Sequence, residues 1–194
     1  MKLPESFYTR SNVTTIARQL LGKILATKIN GEVTSGVIVE TEAYSDKERG
    51  SHAFRGMTKR NEVMFGRGGK AYVYLCYGVH EMFNVVTNHE RKADAILIRA
   101  LEPIEGIEAM MERTNKSSLA RITSGPGKLT KALGIDRKLN GKKLGTNKIW
   151  IEDKGLKIKP SDIVSSPRIG IDYAGEDALL PWRYTIRNNK WISK

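Results

Sequence analysis

The run Gly36-Val37-Ile38-Val39-Glu40-Thr41-Glu42-Ala43-Tyr44 alternates with the period of two that marks a β-strand. The alternation predicts Val37, Val39, Thr41 and Ala43 on one face, with Ile38, Glu40, Glu42 and Tyr44 on the other. A strand over Lys23–Lys28 precedes it, joined across Asn30-Gly31, a strong hairpin signal. Helical spacing of Val13, Ile16, Leu20 and Leu21 predicts a helix over Val13–Leu21, capped by Ser11 or Asn12 and ended by Gly22. Residues Ser45–Gly69 are polar and weakly periodic, a long irregular segment of the kind that forms binding or active-site loops.

Lys70–Tyr77 is apolar and aromatic on both faces, which predicts a buried strand. Gly78-Val79-His80 turns it, and Glu81–Thr87 returns antiparallel. Ala95–Leu101 reads as another strand, and Pro103 leads into a helix at Ile104–Arg113. After Ser124-Gly125-Pro126-Gly127 a shorter helix runs to Leu133 and stops at Gly134. Lys148–Glu152, Arg168–Ile171 and Arg183–Arg187 read as strand-like. No repeat or linker divides the chain, and 194 residues form one domain with ample core.

Charge adds a partner class. Lys and Arg total 33 against 21 acidic residues, a net charge of +12, which favours polyanions or an acidic membrane surface. From Asn115 to Lys148 there are nine basic residues and one acid, so this segment alone carries +8. Cys76 is the only cysteine, which excludes an intrachain disulfide and predicts a cytosolic protein; it reads as a small core residue. The first residues lack an apolar leader core, and no stretch reaches membrane-spanning length, so no membrane partner is expected.

Several chemistries can be set aside on spacing. His52, His80, His89 and Cys76 lack zinc-type intervals. Gly66-Arg67-Gly68-Gly69-Lys70 lacks the Walker interval and precedes a strand rather than a helix, and no Gly-x-Ser-x-Gly elbow occurs. Gly125-Pro126-Gly127-Lys128 reads equally as an ordinary capped turn or as an anion site at a helix N-terminus. Glu40 and Glu42, about 7 Å apart along one strand face, could form an acid–base pair, but one working carboxylate is the simpler reading. Tyr72, Tyr74 and Tyr77 are a costly way to fill a core, because each buried hydroxyl needs a partner. A basic protein with an aromatic hairpin tip and a carboxylate pocket points to unstacking of nucleic acid and capture of one base.

Six blocks, in order, resemble the alkyladenine (3-methyladenine) DNA glycosylase family. They are Val39-Glu40-Thr41-Glu42-Ala43-Tyr44, Tyr72–Gly78, Arg99-Ala100-Leu101-Glu102-Pro103, Ser124–Lys128, Pro167-Arg168-Ile169-Gly170, and Ala174-Gly175-Glu176 followed by Pro181-Trp182-Arg183. The resemblance implies a single-domain α+β fold: a curved, mostly antiparallel β-sheet flanked by short helices, with a protruding β-hairpin that enters the DNA minor groove. It implies an intracellular, nucleoid-associated monomer acting on double-stranded DNA that contains damaged purines, with no metal or organic cofactor.

Carried over by motif, Glu42 is the general base for water and Arg99 holds that water or the sugar-phosphate. Tyr44, His52, Tyr74 and Asn84 line the base pocket. Tyr77 wedges into the gap left by the flipped nucleotide beside Val79, which is smaller than the methionine of mammalian members and so makes a weaker wedge. Ser124, Gly125 and Lys128 lie against the DNA backbone. A non-catalytic nucleic-acid-binding module would explain the charge equally well. The carboxylate separates the two, since near phosphates it only weakens plain binding.

Overall fold

The computed structural model describes residues 1–193. Two short helices, α1 (Glu5–Tyr8) and α2 (Val13–Leu20), lead into strands β1 (Ile24–Ile29) and β2 (Glu32–Tyr44). Strands β3 (Ala71–Cys76), β4 (His80–Thr87) and β5 (Asp94–Glu105) follow, then helices α3 (Ile107–Thr114) and α4 (Pro126–Leu133). Three four-residue strands complete the fold: β6 (Ile149–Glu152), β7 (Ile163–Ser166) and β8 (Arg183–Ile186).

All eight strands form one curled antiparallel sheet, in the order β3-β4-β5-β2-β1-β6. Strand β2 is long enough to take β5 on one edge and, in succession, β1 and β8 on the other; β8 then pairs with β7. The α+β class and the antiparallel sheet agree with expectation. Asn12 caps α2 by accepting from the Thr15 N–H at 3.0 Å, and Val13, Ile16, Ala17 and Leu20 are buried against the sheet. Each fully buried aliphatic side chain on that stripe contributes about 1.5–3 kcal/mol.

Three expectations need correction. Pro103 does not open a helix. Strand β5 runs through it, paired to Gly36, where a side chain would meet the Glu102 carbonyl at 2.8 Å. The helix starts only after Gly106, whose φ of 71° suits glycine, and any Cβ there would collide with the Val33 carbonyl. Second, Arg168–Ile171 is not a strand; β7 lies just upstream, and the Arg168 side chain turns inward to a buried carboxylate. Third, Cys76 is half-buried on a cavity wall rather than in the core.

The face assignment along β2 also changes. Its register with β5 is disturbed on both sides of Glu40. Ile38 joins the main core with Ala43, and the Thr41 hydroxyl donates to Ala17 of α2. Val39 packs against Trp191, and Glu40 accepts from Ser193. Val39 and Glu40 therefore face the same segment, and alternation slips by one. Strand β5 slips at the same level: Ile98 and Leu101 join the core while Arg99 and Ala100 do not.

Candidate active site

The slip leaves Glu40, Glu42 and Tyr44 on the face away from α2, with Arg99 between the two carboxylates. Both glutamates are wholly buried, yet they are held differently. Glu40 accepts from Arg99 Nε (3.1 Å), Arg183 Nε (2.7 Å), Ser193 Oγ (2.8 Å) and Ser193 N (2.6 Å). Glu42 accepts at Oε2 from the Tyr44 hydroxyl (2.8 Å) and Arg99 Nη1 (3.3 Å), and at Oε1 from the Ile169 N–H (2.7 Å).

Tyr44, Arg99 and Ile169 all line a cavity of about 490 Å³, whereas Arg183 and Ser193 do not. All three donors of Glu42 thus line the cavity, whereas Glu40 anchors the segment 191–193. Burial raises the Glu42 carboxyl above its ordinary range, opposed by the Arg99 charge, the Ile169 N–H and the Tyr44 hydroxyl. A carboxylate desolvated yet kept ionisable by a cation is suited to taking a proton from water.

The walls are aromatic. Tyr72 and Tyr74 come from β3, and His52 from the long segment after β2. The His52 ring stands edge-on to Tyr74, centroids 4.6 Å apart, and its Nδ1 meets the Tyr72 hydroxyl at 2.9 Å. Asn84, on β4, donates to the Tyr72 carbonyl at 3.3 Å while lining the cavity. The structure therefore brings Tyr44, His52, Tyr74, Asn84 and Arg99 together around one hollow of a size typical for ligand pockets, with Glu42 buried behind its donors Tyr44, Arg99 and Ile169. Tyr72, Arg60 and Tyr173 also line it, the Arg60 guanidinium lying over the Tyr74 ring.

At the rim, Tyr77 and Gly78 both have positive φ (49° and 73°), and the Val79 N–H donates to the Cys76 carbonyl. This is the mirror-image turn that matches strand twist, and Gly78 suits it better than Tyr77 does. Tyr77 is 91 % exposed and Val79 is exposed beside it. Ser124 is buried in a bridge to Ala100, while Lys128 is exposed in the first turn of α4. Of the nine basic residues between 115 and 148, all but Arg121 are exposed.

Burial, aided by the Arg60 charge, lowers the His52 pKa to about 4. The imidazole is therefore neutral at physiological pH. Between about 4 and 6.5 the unfolded chain binds a proton that the folded one does not. Stability from this residue is complete above pH 6.5 and falls as pH drops toward 4, by up to about 3 kcal/mol. Urea unfolding at pH 5 and 7.5 should show a smaller pH dependence in His52→Gln than in the wild type. Equal dependences would mean that the ring titrates freely.

Sequence reasoning missed the Ile169 N–H, the Arg168–Glu48 pair behind it, and the Ser193 anchor. The block Pro167-Arg168-Ile169-Gly170 gave a signal for the first; Glu48 and Ser193 carried none.

Comparison with known proteins supplies the remaining evidence. The family described as Methylpurine-DNA glycosylase (MPG) matches residues 6–190. A protein of Carboxydothermus hydrogenoformans is 49% identical over 194 residues, covering 100% of both chains. One of Methanocella arvoryzae is 47% identical (99% of this chain, 96% of the relative), and one of Chlamydia abortus 43% identical (95% and 97%). Each of the three carries the provisional name 3-methyladenine DNA glycosylase.

Proposed function

Because the chain belongs to the methylpurine-DNA glycosylase family, we propose that it flips an alkylated or deaminated purine out of duplex DNA into the cavity above Glu42 and hydrolyses its N-glycosidic bond. That it is a DNA glycosylase of the 3-methyladenine type, and so acts in DNA repair, follows from the family itself. The observation that carries the finer reading is the contrast between the two carboxylates. Glu42 is buried against donors that line the cavity, and Glu40 is saturated by donors that mostly do not.

In the proposed step, Glu42 takes a proton from water as the oxygen bonds to C1′. The C1′–N bond breaks and its electron pair leaves with the base. The sugar passes through a positively charged, oxocarbenium-like state that the carboxylate also stabilises. A cationic alkylated purine departs neutral, so it requires no strong general acid. Tyr44, Tyr74 and His52 would hold the flat base by stacking and edge contacts. Tyr77 would fill the emptied place in the duplex, and the exposed lysines and arginines of 115–148 would track the phosphates. No helix among the described residues is long and apolar enough to cross a membrane. The protein would act as a monomer on 3-methyladenine, 7-methylguanine, hypoxanthine and ethenoadenine.

Duplex oligonucleotides carrying each lesion test this directly. After incubation, alkali should cut the lesion strand at the abasic site and leave undamaged duplex intact. Tight binding with no abasic sites on any of the four would sink the catalytic reading in favour of a binding module.

A further inference from the structure

Two side chains that do not line the cavity converge on the groups that hold Glu42. Arg168 donates from Nη1 to Glu48 Oε1 at 2.7 Å and from Nη2 to Glu48 Oε2 at 2.8 Å, a two-pronged pair with both side chains buried. Nη1 also donates to the carbonyl of Ala43, the residue between Glu42 and Tyr44, at 2.8 Å. Nη2 reaches the Asp177 carbonyl at 3.1 Å. The guanidinium carbon lies 4.6 Å from the centre of the Tyr44 ring and 5.3 Å from that of Trp182. Glu48 Oε2 in turn accepts from the Gly50 N–H at 2.7 Å, and a side chain at Gly50 would meet that oxygen at 2.9 Å.

One ion pair therefore ties together the end of β2, the loop carrying His52 and the segment carrying Ile169. Stability alone does not account for it, because well-packed apolar residues commonly serve as well as a buried ion pair. Its location does. The Arg168–Ile169 peptide supplies the N–H that meets Glu42 Oε1, and the Tyr44 ring stacked on Arg168 supplies the hydroxyl that meets Oε2.

We propose that Arg168 and Glu48 are a positioning pair for Glu42, fixing the two neutral donors that orient its carboxyl group. The proposal rests on the reading of Glu42 as the base. Neither residue lines the cavity or hydrogen-bonds Glu42; both act through Ile169 and Tyr44, with the Arg168 charge also felt directly by Glu42. The other charged or titratable groups around Glu42 are Arg99 on β5, Glu40 on its own strand and Arg183 opposite Glu42 on β8, with Tyr74 close to Tyr44 and with His52, Arg60, Tyr72, Cys76, Tyr77 and Tyr173 around the cavity. Of these, His52 and Tyr173 sit on segments that the pair ties down, and the His52 ring bonds to Tyr72 rather than to Glu42. Losing the aligned N–H and hydroxyl removes two influences that lower the Glu42 pKa, so Glu42 should hold its proton to higher pH.

The test is single-turnover excision of hypoxanthine from one duplex, measured across pH for wild type, Glu42→Gln, Glu48→Gln and Arg168→Lys. Glu48→Gln should lose about 10- to 100-fold in rate at neutral pH, the scale of a small misplacement of a reacting group. Its acid limb should move up by about one pH unit, the order expected for a lost hydrogen bond to a charged group. Affinity for the duplex should be unchanged. Arg168→Lys, which keeps the charge but not the fork, should fall between the two.

Full activity with the acid limb in place, in folded Glu48→Gln, would overturn the proposal if Glu42→Gln is inactive. A rate loss with no shift of the limb would overturn it too, since general loosening predicts that. If Glu42→Gln retains wild-type excision, the reading of Glu42 fails and the positioning role with it. Where Glu48→Gln does not fold, Arg168→Lys is read by the same two criteria, and failure of both to fold would mark the pair as purely structural.

Discussion

Glu42→Gln should excise hypoxanthine at least about 10²–10⁴-fold more slowly than the wild type in single turnover, the usual range for loss of a general base. The amide keeps the size of the side chain, and its single oxygen can still accept at one of the two positions, from the Ile169 N–H or from the Tyr44 hydroxyl. It cannot take a proton from water, and it presents no charge to the developing sugar cation. Loss of that charge adds to the deficit. Duplex affinity should hold or rise, because a carboxylate beneath a phosphate-binding face opposes binding. Glu40→Gln is the matched control. Breaking its contacts with Arg99, Arg183 and Ser193 should cost about 3–5 kcal/mol of stability, as for other buried ion pairs. In protein that remains folded, excision should survive. Near wild-type excision by Glu42→Gln would overturn the mechanism, and loss confined to folded Glu40→Gln would assign it to the other carboxylate.

Tyr77→Ala should slow excision from stable base pairs by about 5- to 150-fold, equivalent to the roughly 1–3 kcal/mol of an aromatic stacked on bases. Opposite a mismatch the loss should shrink, because a weakened pair needs less help to stay open. Thermal stability should hardly change, since a side chain 91 % exposed contributes little to the core. Kinetics on matched hypoxanthine duplexes that differ only in the opposing base would separate these effects. Equal losses on both, or none, would mean that the ring only decorates the rim.

Much of this arrangement is legible in the residues. The cap at Asn12, the turn at Gly78 and the Glu42 strand are local signals, set by side-chain chemistry within a few positions. What local pattern could not show is pairing between distant segments. Pro103 reads as a helix start until Gly36 is placed opposite it. Arg168 reads as part of a strand until Glu48, 120 residues away, draws it inward. Glu40 and Glu42 look equivalent in sequence; Ser193 and Arg183 on one side, and Ile169 on the other, make them different. Resemblance alone assigns His52 to the pocket, but its neutrality depends on burial and on Arg60, both tertiary.

The matched slips in β2 and β5 also limit how this enzyme can vary. Because side chains change face with every residue, removing or inserting a single position between Ile38 and Glu42 would turn Glu42 toward α2 and bring Thr41 or Ala43 over the cavity. A compensating change in β5 would have to arise at the same level to keep Arg99 opposite. Length variation among descendants of this chain should accordingly collect in the long segment after Tyr44 and spare these two strands. A library that randomises indel positions and selects for repair would reveal that boundary residue by residue.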